Sequence, residues 1–262
     1  MLPLHGRASF VTGSTSGIGL AIARALAAAG SDVVLNGFGD RGEIEEIRSG
    51  IERDLGVRAR YHGADMTRPE EIAEAVRSVE TELGSLDVLV NNAGIQHTAK
   101  VEDFPAERWN TILAINLSSA FFTAQNALPG MRKRGWGRIV NVASAHGLVA
   151  SPMKAAYVAA KHGLVGLTKV IALETAGTGI TANTLCPGWV LTPLVDKQIV
   201  ALSEEQGLSI EEAKLKLLSA KQPSLRFVTT EEVGAAAVFL CSEAAASITG
   251  ISLPIDGGWT AQ

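Results

Sequence analysis

The chain has 262 residues, 47% of them hydrophobic and 19% charged, with a formal net charge of −4, a balance that suits a large buried core and excludes disorder. The richest basic cluster, Arg132 to Arg134, is too short for a nucleic-acid surface, which is therefore excluded, and is assigned to a solvated helix end. Cys186 and Cys241 stand far apart in no metal or redox spacing, so neither a disulfide framework nor a metal site is expected, and a reducing, cytoplasmic compartment fits.

Met1 to Thr12 holds an apolar stretch too short for a secretory leader, and its second half, Ala8 to Thr12, is the first predicted strand. That strand runs into Gly13-Ser14-Thr15-Ser16-Gly17-Ile18-Gly19 and then a helix over Gly17 to Ala29. Glycines between a first strand and a helix let the backbone approach a pyrophosphate, whose charge the helix N-terminus favours. A second strand, Asp32 to Asn36, ends in Asn36-Gly37-Phe38, without the acid that often holds the ribose hydroxyls of NAD. A helix over about Arg41 to Asp54 and a strand over Ala59 to Tyr61 follow. Asp65 then stands where an ordinary turn residue would, before a helix over Pro69 to Leu83.

The fourth strand, Val88 to Asn91, leads into Asn91-Asn92-Ala93-Gly94-Ile95-Gln96. One long helix is expected over Pro105 to Met131. Its part from Thr111 to Met131 carries no formal charge and is long enough to span a bilayer. It also holds Asn116, Ser118, Ser119, Gln125, Asn126 and Pro129, so a buried or interfacial helix is the better reading. A fifth strand, Arg138 to Ala143, ends at Ser144, and a helix over Ala155 to Thr175 carries Tyr157 and Lys161. Residues four apart share a helix face, so the phenol and the ammonium can meet, and the positive charge favours the phenolate. A strand over Thr181 to Leu185 precedes an irregular segment, Pro187 to Arg226, with amphipathic pieces near Pro193 to Leu202 and Ser209 to Ala220. A segment of that length inside a compact domain is expected to be a functional lid. A helix over Thr230 to Ser242 and a strand over Ser252 to Ile255 complete the alternation, which reads as one α/β domain over residues 1–262 around a parallel sheet.

The Gly-x-x-x-Gly-x-Gly spacing, Asn91 to Gly94, and Ser144 with Tyr157 and Lys161 together resemble the short-chain dehydrogenase/reductase family from Ala8 to Gly258. The resemblance implies a Rossmann-type, doubly wound sheet of seven parallel strands with helices on both faces and a helical substrate lid. It implies hydride transfer between a nicotinamide cofactor and a secondary alcohol or ketone. Tyr157 would be the acid and base, Ser144 would hydrogen-bond the substrate oxygen, Lys161 would hold the ribose and lower the tyrosine pKa, and Asn116 would help relay protons. Asp65 matches the contact to the adenine ring. The implied cofactor residues are Gly13, Thr15, Ser16, Gly17, Ile18, Gly19, Phe38, Asp65, Asn92, Gly94, Tyr157, Lys161, Pro187, Gly188 and Val190. Thr15 occupies a position often basic in NADP-preferring relatives, so NAD is expected, while the nearby Arg41 keeps NADP as the alternative.

Gln96, His146 and Lys154 lie on segments that such a sheet brings to the carboxyl edge of its strands, with Gln198 in the lid above. Two amides, an imidazole and an ammonium there suit a small carboxylate, and within the family they match residues that hold a short (R)-3-hydroxy acid or its 3-keto acid. Trp189 and Trp259 match aromatic positions near that pocket. The rivals are an NADPH-dependent reductase of 3-oxoacyl thioesters or other small ketones, and a cofactor-binding regulator without turnover. The apolar faces of the Thr111 to Met131 and Ala155 to Thr175 helices predict self-association, which in this family is commonly a homotetramer.

Overall fold

The computed structural model describes residues 2–262, apart from the side chain of Leu194; Met1 lies outside the described residues. Seven strands form the sheet: β1 (Ala8–Val11), β2 (Asp32–Asn36), β3 (Ala59–His62), β4 (Val88–Asn91), β5 (Gly137–Val142), β6 (Ile180–Pro187) and β7 (Ser252–Ile255). All neighbours pair in parallel, in the order β3-β2-β1-β4-β5-β6-β7. The direction of winding reverses between β1 and β4, and a crevice opens there beyond the carboxyl ends of the strands.

The inner strands β1, β4, β5 and β6 are buried along their length because both faces of a parallel sheet are covered there, whereas the edge strands β3 and β7 are partly exposed. Side chains alternate between the faces. Val11, Val88, Val90 and Val140 face a core shared with α1 (Gly17–Ala28), α2 (Arg41–Leu55) and α9 (Thr230–Cys241). Phe10, Leu89 and Ile139 face a second core shared with α3 (Pro69–Leu83), α5 (Ser119–Arg134) and α6 (Ala155–Glu174). The first core depends on a close helix crossing: a Cβ on Gly234 of α9 would lie 3.1 Å from that of Ala25 in α1. The remaining helices are α4 (Ala106–Leu113), α7 (Pro193–Gln206) and α8 (Ile210–Ser219).

Two expectations need correction. The helix expected over Pro105 to Met131 is two helices, α4 and α5, joined by a turn of π-helix over Ala114–Ser118 that contains Asn116. The helix that meets the length and hydropathy of a membrane span is α6, not Thr111 to Met131. It is a core helix, with Leu164, Thr168 and Ile171 buried against the sheet. The basic cluster at Arg132 to Arg134 lies, as expected, at an exposed helix end, where Arg132 donates to the Glu174 carbonyl at 2.8 Å and Arg134 bonds the Leu86 carbonyl and Glu80. These cations sit in the last turn of α5, where the helix dipole favours them.

Candidate active site

The glycine loop after β1 is shaped by its neighbours. Gly13 has φ 61°, and a Cβ there would come within 2.8 Å of Ala93 Cα. A Cβ on Gly19 would collide with the Gly13 carbonyl and the Asn92 amide. That amide donates to the carbonyls of Thr12 and Gly13 at 3.0 and 2.9 Å, while Thr12 Oγ1 accepts from the main-chain nitrogens of Asn92 and Ala93. Asn36 clamps the other side, accepting from Gly13 N at 3.2 Å and donating to the His62 and Ala64 carbonyls. Ser16, at the N-cap of α1, makes no capping bond with its side chain among the described residues, and the first turn holds no acidic side chain. An uncompensated helix N-terminus behind a loop without side-chain bulk fits a pyrophosphate.

This loop forms one wall of a cleft of about 380 Å³. Every residue expected to bind cofactor lines it except Pro187, Gly188 and Val190, which line the adjoining smaller cavity. Asp65 does two things: it lines the cleft, and its carboxylate accepts from Thr67 N and Oγ1 at 2.8 Å to hold its own turn. Lys161 is the one basic residue on the cleft wall among the described residues. Gly19→Ala should therefore lower kcat/KM for the cofactor on the order of 100-fold through misplacement of the loop, with far-ultraviolet dichroism retained. Stopped-flow cofactor binding checks this, and wild-type affinity in the variant would show that the loop does not cradle the cofactor.

At the inner end of the cleft, Ser144 lies just beyond β5 rather than on it. Its Oγ accepts from His146 N at 3.1 Å and hydrogen-bonds Tyr157. Lys161 Nζ stands 5.6 Å from the centre of the Tyr157 ring and donates to the Val142 carbonyl at 2.8 Å. Burial holds the tyrosine above its ordinary value, an effect that the Ser144 bond partly offsets, and burial draws Lys161 down to about 8. Exclusion of water penalises phenolate and ammonium alike, so burial is the first cause of both shifts. Asn116 lines neither cavity. Its side chain accepts from Ile95 N and donates to Ile95 O, both at 2.9 Å, and so braces the strand of chain between Gly94 and Gln96.

The second cavity, about 100 Å³, shares Ile18, Val142, Ala143, Tyr157 and Thr192 with the cleft. Gln96, Ser144, His146, Lys154, Trp189 and Gln198 all line it, as does Trp259. Gln96 and Lys154 are brought together by a bridge between Ala99 and Lys154, with Ala99 N donating to Met153 O at 3.0 Å. Met153 itself has φ 64°, a left-handed backbone that a branched-out side chain rarely adopts. Burial, then the charge of Lys154, presses His146 down to about 3, so its imidazole is neutral near pH 7 and its Nε2 pairs with Ser151 Oγ at 2.9 Å. Burial, then the charge of Lys221, lowers Lys154 to about 8. Lys154 Nζ lies 5.1 Å from the centre of the Trp189 ring, which stacks on Trp259 at 5.8 Å. Among the described residues no cluster of His, Cys, Asp and Glu could hold a metal ion.

Sequence reasoning missed the network behind this site. Asn91 donates to Asn141 at 2.8 Å, Thr123 donates to Asn91 at 2.6 Å, and Asn141 donates to Thr168 at 2.8 Å. A fully satisfied buried chain of this kind fixes β4, β5, α5 and α6 as one frame. Ser151 and Thr192 were also missed; Ser151 lies within a run of otherwise plain loop residues and carries no local signal.

A family profile described as Enoyl-(Acyl carrier protein) reductase matches residues 13–260. The chain is 58% identical to the D-beta-hydroxybutyrate dehydrogenase of Cupriavidus necator over 99% of this chain and 100% of that protein. It is 52% identical to the D-beta-hydroxybutyrate dehydrogenase of Rhizobium meliloti, over 98% and 99% of the two chains. Among solved structures, L-sorbose reductase from Gluconobacter frateurii, complexed with NADPH and L-sorbose, superposes with a TM-score of 0.94 at 31% identity, covering 100% of this chain and 99% of that one. A short-chain alcohol dehydrogenase from Sinorhizobium meliloti gives 0.89 at 38% identity, with the same coverage.

Proposed function

We propose, for a chain that belongs to the short-chain dehydrogenase/reductase family, that it interconverts (R)-3-hydroxybutyrate and acetoacetate with NAD. The observation that carries this reading is the small cavity whose lining brings Lys154, His146, Gln96 and Gln198 together with Ser144 and Tyr157. Its volume of about 100 Å³ is well below the range of roughly 300–1,000 Å³ usual for larger ligands. A short acid is matched to it by size and by charge, whereas a thioester would need an open channel. NAD is favoured because, among the described residues, the cleft near Phe38 offers no basic side chain to a 2′-phosphate, and Asn36 is already committed to the backbone.

In the oxidation direction, Ser144 and Tyr157 hold the substrate hydroxyl, and Tyr157 Oη accepts its proton. When bound, the nicotinamide supplies the acceptor of the hydride. Lys161 holds the cofactor ribose and stabilises the phenolate, since each group's charge relieves the other's burial. Asn116 extends the proton path through its main-chain carbonyl, its side-chain amide being taken up by Ile95. In reduction Tyr157 returns the proton to the ketone oxygen. Pro187, Gly188 and Val190, which line the smaller cavity, would hold the nicotinamide end of the cofactor. Residues 187–226 act as a lid that excludes water over the acid, within one dehydrogenase domain spanning residues 1–262. The enzyme works in the cytoplasm, which the two buried free thiols suit, and as a homotetramer. The groove between α5 and α6, with exposed Phe121 and Val170 on its rim, is the first subunit contact.

Initial rates of NAD reduction with (R)-3-hydroxybutyrate, its (S) enantiomer and a 3-hydroxyacyl thioester, each repeated with NADP, test the reading. Turnover of the (R) acid with NAD is expected. Activity confined to the thioester, or to NADP, would overturn the substrate or cofactor assignment and leave the reacting centre standing.

A further inference from the structure

Gln222 follows α8, where the chain returns from the α7–α8 segment to the body of the protein. Glutamine is mostly found exposed, yet this side chain has 0% exposure. Its Oε1 accepts from the main-chain nitrogen of Trp189 at 2.8 Å, and its Nε2 donates to the carbonyl of Arg226. Two further segments press on it. A Cβ on Gly188 would lie 2.5 Å from Gln222 Oε1, and one on Gly257 would lie 2.8 Å from Gln222 Cγ.

The Trp189 main chain is held on both sides, because its carbonyl accepts from Val228 N at 2.9 Å beside a bridge between Val190 and Val228. The indole is differently placed. Its Nε1 is buried with no hydrogen-bond partner among the described residues, and its ring stacks on Trp259, faces the ammonium of Lys154 and packs on the apolar cluster of Val195, Ile199 and Ala213. Stacking tolerates sliding, whereas a buried N–H left without an acceptor is costly. The apolar packing holds the ring as a surface, and the directional bond at the Trp189 main chain sets where the ring enters the cavity.

We propose that Gln222 is a positioning residue that sets the Trp189 wall of the small cavity, acting through the Trp189 main chain. The inference rests on the reading of that cavity as the hydroxy-acid site. Gln222→Met keeps the volume and removes both the acceptor of the Trp189 N–H and the donor to the Arg226 carbonyl, of which the first bears on the Trp189 wall. It should raise KM for (R)-3-hydroxybutyrate roughly tenfold, the scale of one lost buried hydrogen bond, while kcat and KM for NAD change less. The near-ultraviolet dichroism of the stacked indoles should weaken with it. Combined with Trp189→Phe, the double variant should be no worse than Trp189→Phe alone, because both act on one wall.

Equal rises in both KM values, or additive losses in the double variant, overturn the proposal. Should Gln222→Met fail to fold, amide exchange in the wild-type protein decides: the Trp189 amide should exchange as slowly as those inside β6, and exchange as fast as the exposed turns of α7 and α8 overturns the proposal. Dichroism and exchange need no substrate. A protein that meets both expectations but does not turn over the acid sustains the role of Gln222 and sinks the substrate reading instead.

Discussion

Tyr157→Phe is expected to lower kcat by between about a hundredfold and ten-thousandfold, the usual contribution of a positioned acid or base. The change removes one oxygen and keeps the ring, whose edge contact with His146, at 5.9 Å between centroids, does not need the hydroxyl. Cofactor affinity should survive, because Lys161 keeps its bond to the Val142 carbonyl and the glycine loop is untouched. Single-turnover hydride transfer measured with saturating cofactor separates the chemical step from binding. Wild-type kcat for oxidation should rise with pH, since burial holds the phenol above its ordinary value and the reactive phenolate gains as protons are withdrawn. Turnover in Tyr157→Phe within tenfold of wild type would place the acid and base on another group.

Lys154→Ala should raise KM for the hydroxy acid roughly a hundredfold or more, the scale of losing one partner of a buried hydrogen-bonded charge pair. Its effect on kcat should be smaller, because in the proposed complex the ammonium would meet the carboxylate and not the reacting carbon. The preference for the acid over its methyl ester should shrink in parallel, and an unchanged preference would show that the carboxylate binds elsewhere. The pH dependence carries the sign of the argument. Lys154 is drawn below its ordinary value to about 8, so the free enzyme holds its charge below that pH and loses it as pH rises through it. Wild-type kcat/KM, which reports the free enzyme, should fall above pH 8, and the variant should fall less steeply, retaining only the titration of Lys161 in the same range.

What the sequence made legible was local. The glycine loop lies between one strand and one helix, and Tyr157 and Lys161 lie on one face of one helix. Short-range rules of spacing reach both, and the seven strands followed from apolar runs bounded by turns. What it hid was set by distant partners. Asn116 sits in a π turn whose side chain is tied to Ile95, and nothing in the flanking residues announces that tie. Asn141, Thr123 and Thr168 read as polar interruptions until the frame brings them against Asn91. The fall of Lys154 and His146 from their ordinary values is a matter of burial, which no spacing encodes.

Met153 gives the site a different property. Its left-handed backbone carries a torsional load of about 1–2 kcal/mol that a residue with a Cβ bears and glycine does not. The load falls immediately before Lys154, and the carbonyl that carries it ties down the Gln96 loop. A glycine at this half-exposed position would shed that load and also loosen the turn that presents Lys154, so replacement there would act on the cavity while every polar group stays in place.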